Sequence, residues 1–385
     1  MTVSERNAQP HSPELDGLRG CAILLVVAGH LLAFSLDVGG RWNELGGLGV
    51  LIFFGLSGFL ITSILCREEA RSGSISLRAF YARRALRIFP AFGVFIGVAS
   101  ILLAVHLITD ATWLTVLASI LYVRNIFGRG HSLGHLWSLS LEEQFYLVWP
   151  LFLRFVTQRR ALFPTLALVV AITTWRTVAI LFALFDYNRG IFYLRPDFRF
   201  DSILVGCALA LALARAPLSG RRLSIVLAVS NPVWVVPTLL AWTLFAEFTH
   251  FGPPIFLTVQ TILATLFLVH VVLGPGTITC RILRNRLLQL IGRLSYSIYL
   301  WQQIFLVTRE PSWGPLRVFP LNLVMCAALA VASYVFVERP FLRLKARVVR
   351  PPATIEAVVV LDGRDVPHTV DRTRAENGVF KPPHV

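Results

Sequence analysis

Arg19 and His30 stand eleven residues apart in an otherwise apolar stretch, Leu18-Arg-Gly-Cys-Ala-Ile-Leu-Leu-Val-Val-Ala-Gly-His30. On a helix that spacing puts both on nearly one face, about 16 Å apart along the axis. Hydrocarbon penalises ionisable groups, so an imidazole kept inside an apolar helix marks a candidate functional site. The arginine is expected at the water interface and the histidine near the middle of the membrane. A buried, neutral His30 suits the role of general base on a hydroxyl once its tautomer is fixed. The blander reading is a histidine that hydrogen-bonds a neighbouring helix and an arginine that anchors the helix end.

Arg84 and Arg87 lie one turn apart in Phe80-Tyr81-Ala-Arg83-Arg84-Ala-Leu-Arg87. Such a fork of guanidinium groups suits phosphate or pyrophosphate, because each can donate two hydrogen bonds to one anion. A basic cluster beside a membrane helix also serves topology and lipid headgroups. Further on, His135-Leu-Trp137-Ser138-Leu-Ser140-Leu-Glu142-Glu143 carries two adjacent carboxylates into a membrane helix. They are costly there unless paired or catalytic. Glu142 and Glu143 point about 100° apart, so at most one shares a site with His30. A carboxylate on the imidazole would set its tautomer and stabilise the imidazolium. The alternative is a structural pair with Arg199 or Arg124. His131 and His135 have helical metal-ligand spacing but no third ligand, so no metal site is expected. Asp201 is expected to pair with Arg199 or Arg195.

These residues need a membrane bundle to hold them. The chain is 56% hydrophobic and 15% charged over 385 residues, too apolar for a soluble domain. Its formal net charge of +15 comes from arginine clusters between apolar runs, which argues against nucleic-acid binding. Apolar runs at 18–36, 47–66, 88–108, 138–157, 161–183, 198–214, 225–246, 255–274, 288–307 and 320–338 are each near the length that crosses a bilayer. The fold expected is all-α, a polytopic bundle of about ten spans plus a re-entrant or interfacial segment at 111–127. If that segment does not cross, the basic clusters fall on one side, and both termini are cytoplasmic in a multi-pass cell-membrane protein. Residues 1–14 are then a cytoplasmic segment, 15–345 the membrane domain and 346–385 a polar, partly disordered cytoplasmic tail, too short for a separate enzymatic domain. The five scattered cysteines are expected to be free thiols.

Several motifs in order resemble the acyltransferase-3 family of integral-membrane acyltransferases. They are Leu15-Asp16-Gly17-Leu18-Arg19 through His30, Phe53-Phe54-Gly-Leu-Ser57-Gly58, Arg84-x-x-Arg87, Trp137-Ser-Leu-Ser-Leu-Glu-Glu-Gln-Phe-Tyr146, Ser295-Tyr296-Ser-Ile-Tyr299-Leu-Trp301 and Val337-Glu338-Arg339-Pro340. The resemblance spans residues 12 to 345 and implies O-acylation, most simply acetylation, of a carbohydrate, lipid-linked glycan or small hydroxylated acceptor, with acyl-coenzyme A as donor and no permanently bound cofactor. It implies His30, Glu142 and Arg19 as catalytic candidates, with Glu142 orienting His30. Arg84, Arg87, Glu143, His135 and Trp301 become substrate-binding candidates. One departure stands out: the family often has His after Tyr-Leu-Trp, whereas Gln302 follows Trp301 here. The competing reading is a secondary transporter or exporter in which His30 and Glu142 relay protons.

Overall fold

The first helix, α1 (Pro13–His30), runs directly into a π-helical turn at Leu31–Ser35, so His30 is the last residue before the helix widens. The structure, a computed structural model, describes residues 12–348 except 128–129, 183, 185–193, 217, 246–252 and 308–310. A 3-10 turn, Gly40–Trp42, leads into α2 (Asn43–Ser72), which Gly73 ends in the left-handed conformation at φ 73°. Glycine meets no Cβ penalty there. Ser76 then caps α3 (Leu77–Ala104), its hydroxyl accepting from the Ala79 N–H. The short α4 (Trp113–Ile120) precedes α5 (Leu136–Val156), α6 (Gln158–Leu181) and α7 (Pro196–Arg215). The chain continues through α8 (Gly220–Val229), α9 (Pro232–Phe245), α10 (Pro253–Leu273), α11 (Ile278–Leu283) and α12 (Arg286–Leu306). Finally α13 (Leu321–Ser333) passes through a second π turn, Tyr334–Glu338, into α14 (Arg339–Val348).

No strand occurs among the described residues, and the protein is a polytopic helical bundle. Each of the ten expected spans has its counterpart: α1, α2, α3, α5, α6, α7, the α8–α9 pair, α10, α12 and α13. Seven stretches, 13–35, 40–72, 77–104, 158–181, 220–245, 255–273 and 321–344, have the length and hydropathy to cross a membrane. The other three, α5, α7 and α12, carry Glu142 and Glu143, Asp201, and Gln302 and Gln303. Their polar load is the reason they read as weaker spans. With eight residues, α4 rises only about 12 Å and cannot cross a core of about 30 Å. The expected N-terminal segment and tail lie mostly outside the described residues.

Lipid is as apolar as leucine, so close backbone packing must hold the helices together. At the α1–α12 crossing a Cβ on Gly292 would lie 1.9 Å from the Asp16 carbonyl oxygen, and one on Gly20 2.2 Å from that of Leu288. Any larger residue forces those helices apart. The α6–α7 contact uses charge instead. Arg176 and Asp201 pair at 2.8 Å, both essentially fully buried, and Arg176 also donates to the Phe198 carbonyl at 2.7 Å and the Thr258 hydroxyl at 2.9 Å. This corrects the expected pairing of Asp201 with Arg199 or Arg195. Arg195 pairs with Asp197 at 2.9 Å, while Arg199 lies over the Trp137 ring at 5.6 Å. The partner escapes a reading of the sequence because Arg176 and Asp201 lie on different helices, and nothing in the sequence says which helix faces meet.

Candidate active site

Helices α1, α2, α3, α5 and α12 enclose a cavity of about 200 Å³. Its lining on α2 runs from Val50 to Ile64, which is about 21 Å of helix. Three guanidinium groups, Arg19, Arg84 and Arg87, face it together with one carboxylate, Glu142. Arg19 pairs with Asp16 at 3.0 Å. Arg84 lies over the Tyr146 ring, its guanidinium carbon 3.5 Å from the centroid, and reaches Glu143 at 3.7 Å. Arg87, one turn further along α3, sits near two like charges, Arg19 and Arg84, and near the carboxylate of Glu338. Clustered cations with a single facing carboxylate suit an anionic ligand. Glu142 is held by a chain of hydroxyls: Tyr146 donates to Ser57, and Ser57 donates to Glu142, each at 2.8 Å.

Beyond the other end of the cavity lie two imidazoles. The Nδ1 of His30 is 2.6 Å from the amide oxygen of Gln302, and a Cβ on Gly46 would stand 3.6 Å from its Nε2. His135 caps α5, and its Nδ1 is 2.5 Å from the amide oxygen of Gln303, which also accepts the backbone N–H of His135. Neither histidine lines the cavity. On three helices the lining stops about one turn short of them: at Val50 after Gly46, at Ser138 after His135 and at Tyr299 before Gln302. Across that gap the Tyr299 hydroxyl donates to the His135 carbonyl at 2.8 Å and meets the Ser138 hydroxyl at 2.5 Å.

A family model of the acyltransferase domain matches residues 12–338. The chain belongs to the acyltransferase-3 family. Among curated relatives of this family member, the O-acetyltransferase OatA of Staphylococcus aureus is 30% identical over 85% of the chain. The peptidoglycan O-acetyltransferase OatA of Listeria monocytogenes is 29% identical over 88%, and the putative peptidoglycan O-acetyltransferase YrhL of Bacillus subtilis 30% identical over 85%. The match takes in 57%, 57% and 54% of those relatives, so the chain spans little more than half their length. No solved structure matches it.

Within this acyltransferase-3 chain, the structure brings Arg19, Arg84, Arg87 and Glu142 to one cavity and sets His30 and His135 beyond its end. Glu142 bonds to Ser57, so the residue that holds the His30 ring is Gln302 and not Glu142 as expected. His30 lies five residues before the end of the apolar 13–35 stretch. Glu143 pairs with Arg84 in place of the anticipated Arg199 or Arg124 and does not line the cavity. Trp301 is buried edge-on to Phe95, 5.4 Å between centroids, away from the cavity. Arg124 holds the α4–α5 loop by donating to the Gly130 carbonyl at 2.9 Å, and burial there lowers its pKa, with Asp110 acting against that.

Sequence reasoning misses Gln303, Tyr299, Ser138, Ser57 and Glu338. Ser57 stands in the motif Phe53-Phe54-Gly-Leu-Ser57-Gly58, but its type alone does not point to Glu142. Buried Glu338 accepts from Ser297 at the end of the second π turn. Its signals are a carboxylate in an apolar run and its place in Val337-Glu338-Arg339-Pro340.

Proposed function

We propose that this chain transfers an acetyl group from acetyl-coenzyme A to a hydroxyl of a cell-surface carbohydrate, peptidoglycan being the acceptor that the relatives' names supply. The observation that carries the reading is the cavity with three guanidinium groups at one end and an oriented imidazole beyond the other. Arg84 and Arg87 bind the phosphates of the donor, and the acyl-pantetheine arm follows the lining of α2 toward His30. Both termini and the Arg84 end face the cytoplasm, where the coenzyme is made, and the histidines face the outside.

With Gln302 accepting from Nδ1–H, the lone pair of His30 Nε2 takes the acceptor's hydroxyl proton. The oxygen attacks the thioester carbonyl carbon, the C–O bond forms and the C–S bond breaks. The coenzyme leaves as thiolate and recovers the proton through His30. Donor and acceptor are both present in that step, so initial-rate lines intersect and no acyl-enzyme accumulates. Rotation of Tyr299 away from Ser138 joins the cavity to the histidine end during turnover.

The test is incubation of membranes carrying wild type or His30→Ala with labelled acetyl-coenzyme A and peptidoglycan. Label in the wild-type product and none in the variant supports the reading. Equal transfer by both removes His30 from the chemistry.

A further inference from the structure

Two consecutive residues of α12, Gln302 and Gln303, each present an amide oxygen to Nδ1 of a different imidazole, one at the end of α1 and one at the cap of α5. For the second pair the proton position follows from the geometry. The backbone N–H of His135 can only donate, so the Gln303 atom that it meets must be the carbonyl oxygen. That orients the amide. The ring nitrogen facing the same oxygen must then be the one carrying the proton. His135 is therefore held with hydrogen on Nδ1 and a bare lone pair on Nε2. The residue is 2% exposed, and among the described residues that Nε2 has no hydrogen-bond partner of good geometry, with the backbone carbonyl of Leu300 standing close to the ring. An unmet buried acceptor is a standing cost that a ligand's donor would relieve.

We propose that His135 is a second substrate-facing imidazole, whose Nε2 accepts a hydrogen bond from one hydroxyl of a polyhydroxylated acceptor while a neighbouring hydroxyl of the same molecule meets His30. The inference rests on the acetyltransferase reading and narrows its acceptor to molecules with paired hydroxyls, as on a sugar ring. An amide takes up no proton near neutral pH, so neither ring gains the support that a carboxylate gives an imidazolium. Both rings stay neutral acceptors. The other groups facing His135 leave that role open. The Tyr299 hydroxyl spends its proton on the His135 carbonyl, Phe95 of α3 stacks edge-on at 5.6 Å, and the nearby charged or titratable groups are His30 and Arg124. Gln303 is a positioning residue, acting only through the ring it holds.

Two measurements test this. Nitrogen-15 spectra of histidine-labelled, full-length wild type in lipid nanodiscs should show the proton of His135 on Nδ1 and none on Nε2, with the resonance assigned by its displacement in Gln303→Glu. A proton on Nε2 overturns the proposal. In kinetics with acetyl-coenzyme A and peptidoglycan fragments, Gln303→Glu places a carboxylate against Nδ1–H, favours the imidazolium and fills Nε2 with a proton. The acceptor KM of that variant should then rise by about tenfold or more as pH falls from about 8 to about 6, while the donor KM stays within about twofold. An acceptor KM profile that superimposes on wild type overturns it. Absence of transfer by the wild type itself would refute the acetyltransferase reading alone, since the ring spectrum reads the tautomer without turnover.

Discussion

The two ends of the site solve opposite electrostatic problems. Around Arg84 and Arg87 the bundle gathers guanidinium groups and carboxylates about a cavity, whereas around His30 and His135 it gathers imidazole rings and holds each with a neutral amide. At the charged end Arg19 and Arg84 already have carboxylate partners and Arg87 faces the cavity, whereas at the neutral end the His135 Nε2 has no hydrogen-bond partner of good geometry among the described residues. A membrane enzyme that must bind a polar donor and a polar acceptor at different depths can keep both sites in lipid in these two ways.

The largest effect that would break this division is at His30. His30→Ala should lower kcat by about 10²–10⁴-fold, the usual worth of a positioned general base, with donor KM within about twofold of wild type in saturation kinetics. A donor KM that moves instead would put the histidine in the coenzyme site. Next comes Arg87→Ala. Losing one charge-assisted contact of about 1.5–3 kcal/mol should raise donor KM by about 10–150-fold and leave acceptor KM unchanged. If acceptor KM rises in parallel, the two ends are one site.

A control away from both ends sharpens the comparison. Arg176→Met strands Asp201 in the α6–α7 interface and should cost about 3–5 kcal/mol of stability, whereas Arg176→Met with Asp201→Leu should cost much less. Unfolding in detergent reads both, and each folded molecule should keep wild-type kcat. Smallest of all is Glu143→Gln. The carboxylate stands 3.7 Å from Arg84 and off the cavity, so donor KM should change by under about tenfold in the same saturation assay.

Much of this molecule is legible in its sequence because membranes make polarity conspicuous. Arg19, Arg84, Arg87 and Glu142 stand out in apolar runs, and all four line the cavity. Seven of the expected spans stand out for the same reason, and the eight-residue α4 within the run at 111–127 is too short to cross. Legibility fails where the partner is neutral or distant. Gln302 is 272 residues from the histidine it holds, and an amide gives no sign of which ring it will meet. Glu142, the visibly charged neighbour, therefore attracts the task that Gln302 performs. The two π turns beside His30 and at Glu338 have no composition of their own, and no pattern of side chains announces them.

The central claim is that one path through the bundle joins a coenzyme bound at Arg84 and Arg87 to a hydroxyl at His30. Its most direct test uses sealed membrane vesicles of both orientations, with labelled acetyl-coenzyme A outside and a carbohydrate acceptor inside. Label should reach the enclosed acceptor only in inverted vesicles, where the Arg84 end faces out, and Arg87→Ala should slow it until donor concentration is raised. Transfer from right-side-out vesicles, or label appearing on acceptor placed beside the donor, would contradict the account.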